Sequence, residues 1–137
     1  MSEFELHPRL QSDTLFIADL LLCRLLLVND NQYPWTLLVP RRPDLKEAHH
    51  LSPEDQRQLQ IESNMLCRTM ESLFSPDKLN VAAIGNVVPQ LHIHHIARFK
   101  TDVSWPAPVW GALPAVPYSK LEKTQLVTHL QNAIPTS

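Results

Sequence analysis

The feature that most constrains this chain is one long helix signal set among short apolar runs of strand length. Ser52 is a good N-cap, Pro53 suits the first helical position, and Asp55 stands where a capping-box acid reaches back. Leu59, Met65, Leu66, Met70 and Leu73 recur at helical spacing on one side, while Gln58, Gln60, Glu62, Asn64, Arg68 and Glu71 fall largely elsewhere. Such a helix packs on one face only, and Ser75-Pro76-Asp77 closes it. The runs around it read as strands. Thr14 to Ala18 lies inside acidic ends, and Leu20 to Val28 is a longer, leucine-rich run. The polar stretch Asn29 to Pro34 reads as a hairpin loop, with Trp35-Thr36-Leu37-Leu38-Val39 as the returning strand, ended by Pro40 and Pro43. Arg41 to His50 forms a polar surface connection. After the helix, Leu79 to Ile84 reads as a strand leading into the loop Gly85 to Pro89, and Gln90 to Arg98 as another.

Twelve prolines against two glycines mean that turns are made by proline and asparagine. The stretch Trp105 to Pro117 cannot continue a central strand or helix and predicts an irregular, packed excursion. Ser119 with Glu122 repeats the capping-box signature, and Leu121, Leu126, Leu130 and Ile134 predict a final amphipathic helix. The expected class is α+β, an antiparallel sheet of about five strands with a central and a C-terminal helix. One domain over residues 1–137 is expected, with its core at about 13–100 and the proline- and tryptophan-rich segment and last helix at 101–137.

A net charge of −2 argues against a large basic surface for nucleic acid. Cys23 and Cys67 have neither zinc-knuckle spacing nor disulfide density and read as reduced thiols. The apolar run at Leu20 to Val28 is broken by Cys23 and Arg24 and is too short to span a bilayer, and no basic-then-apolar leader is seen. The expected setting is cytoplasmic, away from membrane and nucleic acid.

Chemistry concentrates in Gln90-Leu91-His92-Ile93-His94-His95-Ile96-Ala97-Arg98. On an ideal strand Gln90, His92 and His94 project to one face and Leu91, Ile93 and His95 to the other. Two adjacent imidazoles can supply a nucleophile, a proton donor or a metal ligand near neutral pH. Spacing alone leaves structural, metal-binding and catalytic readings open. A zinc site needs a third protein ligand, and its nearest sequence candidates, His49 and His50, lie in the surface connection, so metal ranks below catalysis. His7 and His129 carry no expected role.

This stretch, preceded by a strand, an asparagine-bearing loop and an amphipathic helix, resembles the histidine triad motif, His-φ-His-φ-His-φ-φ. Gln90 falls at the first histidine, His92 at the second and His94 at the third. Leu26 to Asn29, the short loop, and Trp35 to Pro40 are similar to the hairpin of that superfamily, so the resemblance runs from about Phe16 to Phe99. It implies nucleotide chemistry. His92 would attack the α-phosphorus of a nucleoside phosphoramidate or dinucleoside polyphosphate, giving a nucleotidyl-histidine that water or another acceptor cleaves. His94, as an imidazolium, would bind a phosphoryl oxygen or protonate the leaving group, and Gln90 would orient without titrating. The loop Asn86 to Pro89 would donate to phosphoryl oxygens, Asn29 would contact ribose hydroxyls, and Arg98 would reach a distal phosphate or serve as a strand-end surface charge. The resemblance further implies a purine substrate, adenine favoured, a homodimer, and no required metal or other cofactor. Trp35 replaces a histidine common in relatives and reads either as an aromatic wall for a base or as a core or interface residue. Two alternatives stand beside this reading: a nucleotide-binding regulator with little catalysis, and a metal-dependent hydrolase using His92 and His94.

Overall fold

The computed structural model describes residues 3–135. Five strands, β1 (Thr14–Asp19), β2 (Cys23–Val28), β3 (Trp35–Pro40), β4 (Lys78–Ala82) and β5 (Ile93–Arg98), form one sheet in the order β1-β2-β3-β5-β4. All neighbours are antiparallel. The helices are α1 (Pro8–Asp13), α2 (Pro53–Phe74) and α3 (Lys120–Ala133). The fold is α+β, as the sequence predicts. Both β3 and β4 run antiparallel to β5, so they are parallel to each other, and the long connection containing α2 carries the chain across the sheet between them. Among the described residues no helix is long and apolar enough to cross a membrane.

Leucine runs without alternation because the sheet is covered on both faces. On one face Leu25, Leu27, Leu38 and Ala97 pack with Leu66 and Met70 of α2 and with Leu130 and Ile134 at the end of α3. On the other, Leu26, Leu37 and Val39 pack with Leu10 of α1 and with Val88, and Phe4, Leu6 and Trp35 lie against them. All six residues of β5 are buried.

The caps of α2 and α3 are local chemistry. The Ser52 side chain accepts from the Asp55 amide, and Ser119 and Glu122 make a complete capping box. Asp55, however, does not reach back: its carboxylate takes Arg42, at 2.7 and 3.0 Å. Glu62 also departs from its sequence assignment. It is buried, and its two oxygens accept from the amides of Leu22 and Cys23, each at 2.8 Å, where Leu20 to Leu22 turn instead of extending β2. Leu121 is exposed, so α3 buries only its later residues. The short α1 and the 3-10 turn Ala48–His50 were not foreseen. The strand expected from Gln90 begins at Ile93, because the Leu91 amide donates to the Leu45 carbonyl and draws the chain out of register with β3.

The proline- and tryptophan-rich segment packs where β5 and β3 meet. Val109 joins Tyr33 and Ile96 in a cluster flanked by Trp35 and Trp110. The Asn31 amide donates to the Val116 carbonyl and the Tyr118 amide to Asn29 Oδ1, which ties this segment to the β2–β3 loop.

Candidate active site

His94 sits on β5 opposite Leu37 of β3, facing away from α2, and His92 stands just before the strand. Their ring centroids are 5.0 Å apart. His92 Nδ1 lies 2.7 Å from the Gln90 carbonyl. A carbonyl only accepts, so Nδ1 carries the proton and the lone pair of a neutral His92 is on Nε2. His94 is bound differently. Its Nδ1 accepts from Trp35 Nε1–H at 3.0 Å and from Trp110 Nε1–H at 3.4 Å. Burial, then the neighbouring His92 and His95, push its pKa down to about 3. At neutral pH it is therefore an uncharged ring with its proton on Nε2, not the imidazolium expected from the sequence.

His95, on the opposite side of β5, belongs to the helix layer. Its Nδ1–H donates to the Ile93 carbonyl at 3.1 Å, and its Nε2 accepts from the Ser63 hydroxyl of α2 at 2.7 Å. Burial lowers its pKa to about 4. Consecutive residues thus serve opposite layers, His94 the cavity and His95 the core.

His92 and His94 line a cavity of about 700 Å³ together with Trp35, Trp110, Asn29 and Val88. That volume is within the range of small-molecule sites. Its walls come from α1, the β2–β3 loop, the loop before β5 and the proline-rich segment. A model of the HIT domain matches residues 9–101.

The chain belongs to the HIT domain family. As a HIT protein it is similar throughout to a histidine triad protein from Bradyrhizobium japonicum, 42% identical, covering 98% of this chain and 100% of that one with a TM-score of 0.95. A histidine triad protein from Marinobacter aquaeolei is 46% identical over 97% of each chain, also with a TM-score of 0.95. A hypothetical histidine triad nucleotide-binding protein from Sulfolobus tokodaii, 17% identical over 88% of this chain and 83% of that one, shares the fold at a TM-score of 0.66. No curated protein matches the chain.

Other residues singled out in this HIT sequence are distributed unevenly. Gln90 turns its side chain away from His92: Oε1 accepts from the His7 amide and Nε2 donates to the Glu5 carbonyl, both at 2.8 Å. What it presents to His92 is its main-chain carbonyl. Asn29 lines the cavity, with Oδ1 engaged by the Tyr118 amide. Asn86 is exposed and does not line the cavity, whereas Val87 and Val88 of the same loop do. Arg98 requires a correction: it is neither a surface charge nor a phosphate ligand. It is 1% exposed, pairs with Asp102 at 2.8 Å, donates to Asn80, and stacks over Tyr33 and Trp105.

Burial works against ionisation of Asp102, yet Arg98 and the Phe99 and Ser104 amides hold its carboxyl below the usual range. That pair anchors the entry to the segment that delivers Trp110. Sequence reasoning left Trp110 without a role; the available signal was that a buried indole N–H needs an acceptor. His49 and His50 meet edge to face in the 3-10 turn, at 4.3 Å between centroids, and do not line the cavity. Among the described residues there is no group of three or more His, Cys, Asp or Glu side chains placed to hold a metal ion.

Proposed function

We propose that this HIT protein is a nucleotide hydrolase or nucleotidyl transferase acting at an α-phosphate, with a purine nucleotide, adenine favoured, as substrate. The observation that carries the reading is the 2.7 Å bond from His92 Nδ1 to the Gln90 carbonyl, which leaves Nε2 as the nucleophile beside a cavity of about 700 Å³. His92 Nε2 attacks phosphorus and forms a nucleotidyl-histidine, and water or another acceptor then releases the nucleotide. His94 Nε2–H is suited to hold a non-bridging oxygen as charge develops on it. Val87 and Val88 line the same cavity and supply the loop's part of the site. A cytoplasmic homodimer remains part of the proposal, with the exposed Val81 and Ile84 on and just after edge strand β4 as apolar surface.

The rival reading, a nucleotide-binding regulator with little chemistry, is favoured by one observation. The Gln90 side chain is engaged with residues 5 and 7 and takes no part beside His92. The deciding experiment is turnover of an adenosine 5′-phosphoramidate and a diadenosine polyphosphate by wild type and His92→Ala, with chelator throughout. Turnover of either substrate that survives the chelator and falls by roughly three orders of magnitude or more in the variant supports the enzyme. Binding of AMP without turnover of either substrate refutes it in favour of the regulator.

A further inference from the structure

His94 is held by an arrangement that a strand alone does not provide. Trp35 at the start of β3 and Trp110 in the proline-rich segment, 75 positions later in numbering, aim their indole N–H groups at the same ring nitrogen, at 3.0 and 3.4 Å. An indole nitrogen donates and never accepts. Nδ1 must therefore keep its lone pair, and the single proton of the neutral ring sits on Nε2. A second proton on Nδ1 would oppose its N–H to two others and would place a charge on a ring that is 7% exposed. The charged residues on the cavity wall do not relieve this. Arg9 pairs with Asp13 at 3.6 Å, and Asp30 accepts from Gln32 and from the Val116 amide. The remaining titratable neighbours are His92 on the same side of β5 and His95 behind it, and both disfavour a positive charge on His94.

Resting on the reading above, we propose that Trp35 and Trp110 lock His94 as a neutral Nε2–H donor, and that the site is thereby limited to phosphoanhydride substrates, whose leaving group departs as a stable anion without protonation. In the first step the His92 Nε2 lone pair forms the N–P bond. The P–O bond to the leaving phosphate breaks and its electron pair stays on that oxygen. The proton on His92 Nδ1 remains shared with the Gln90 carbonyl, so no proton is transferred. In the second step a water oxygen attacks phosphorus, the N–P electron pair returns to Nε2, and one water proton passes to solvent. A phosphoramidate is different. Its P–N pair must leave on nitrogen, which requires a proton that a neutral His94 does not give up. Trp35 and Trp110 are positioning residues in this scheme, since they act through His94.

Two measurements test the proposal. The first compares kcat/KM for a diadenosine polyphosphate and an adenosine phosphoramidate from about pH 5 to 8 in wild type and Trp35→Phe. The anhydride is expected to lead by about 100-fold at neutral pH, the order that a general acid contributes. Phosphoramidate turnover should rise as solvent protons become available. In Trp35→Phe the lead should shrink roughly tenfold, with a new acidic limb in the profile. The second is imidazole nitrogen NMR of the wild type, which needs no turnover. It should show His94 unprotonated at Nδ1 and protonated at Nε2 throughout that range. Equal turnover of the two substrates by wild type overturns the leaving-group limit alone. An imidazolium signal from His94 near pH 6, or a proton on Nδ1, overturns the lock. Failure of both substrates overturns the catalytic reading and the leaving-group limit with it, while the NMR result still tests the lock by itself.

Discussion

The sharpest stability prediction concerns His95, which the fold buries on the helix side of β5. Its ring is 0% exposed, and its two nitrogens are engaged by Ile93 and Ser63. Burial lowers its pKa from 6.5 to about 4, and burial with the adjacent histidines lowers that of His94 from 6.5 to about 3. In the unfolded chain both rings bind a proton near pH 6.5, whereas in the folded protein they resist it, so the unfolded state takes up the extra protons. Stability from these groups is complete above about pH 6.5, declines as the pH falls, and levels off only below about 4 and 3 respectively. At pH 4.5, two units below the unfolded value, each ring costs about 2–3 kcal/mol and the two about 5 together, at 1.36 kcal/mol per unit. That loss is comparable with the whole stability of a small domain. The perturbation is His95→Gln, whose side-chain oxygen can still accept from Ser63 but cannot titrate. Packing losses should cost about 1–3 kcal/mol at pH 7. The informative quantity is the difference between urea unfolding free energies at pH 7 and pH 4.5. It should shrink by about 2–3 kcal/mol in the variant, because Asp102 and the other acid-titrating groups are common to both proteins. An equal drop in wild type and variant would refute the assignment of this acid sensitivity to His95.

Glu62→Ala should lower stability by about 3 kcal/mol in urea unfolding, since it strands the buried Leu22 and Cys23 amides; Glu62→Gln, which keeps one acceptor, should lose less. Arg98→Ala should cost about 3–5 kcal/mol by leaving the Asp102 carboxylate buried and unpaired. Measured below its melting transition, where the proline-rich segment still packs on β5, that variant should show a nucleotide KM within about twofold of wild type, because Arg98 is turned into its pair with Asp102 and not toward the cavity.

The parts of the fold that could be read in the sequence are those fixed by neighbouring residues. Ser52-Pro53 and the Ser119–Glu122 pair state where helices begin because the capping bonds span only three positions. The Asn29 to Pro34 loop states where β2 turns into β3. Residues whose role depends on a distant partner could not be read this way. Glu62 looks like a polar surface position on α2 until the turn before β2 brings two bare amides against it. Arg98 looks like a strand-end charge until Asp102 and two aromatic rings close over it. The six residues of α1 carry little helical signal, and the helix is held by Leu10 in the second apolar cluster. Within the site, the positions of His92 and His94 were visible in the pattern. Their protonation was not, because it is set by a main-chain carbonyl in one case and by indoles from two separate segments in the other.

Position 90 illustrates why a motif read one side chain at a time misassigns the work. A glutamine where the motif has histidine suggests a missing proton relay. Yet the contact that fixes His92 comes from the main chain of residue 90, and any residue there retains that carbonyl. The glutamine side chain acts elsewhere, binding the backbone at Glu5 and His7. His7 in turn caps α1, and α1 contributes Leu10 to the core and Arg9, Ser12 and Asp13 to the cavity wall. On the proposed mechanism, the nucleophile's orientation is therefore insulated from the identity of residue 90, while the shape of the cavity is not. A substitution at Gln90 then acts through the N-terminal wall on nucleotide binding before it acts on the chemical step. On that mechanism, the glutamine moves the side-chain work of position 90 to the N-terminal wall, while its main-chain carbonyl still orients His92.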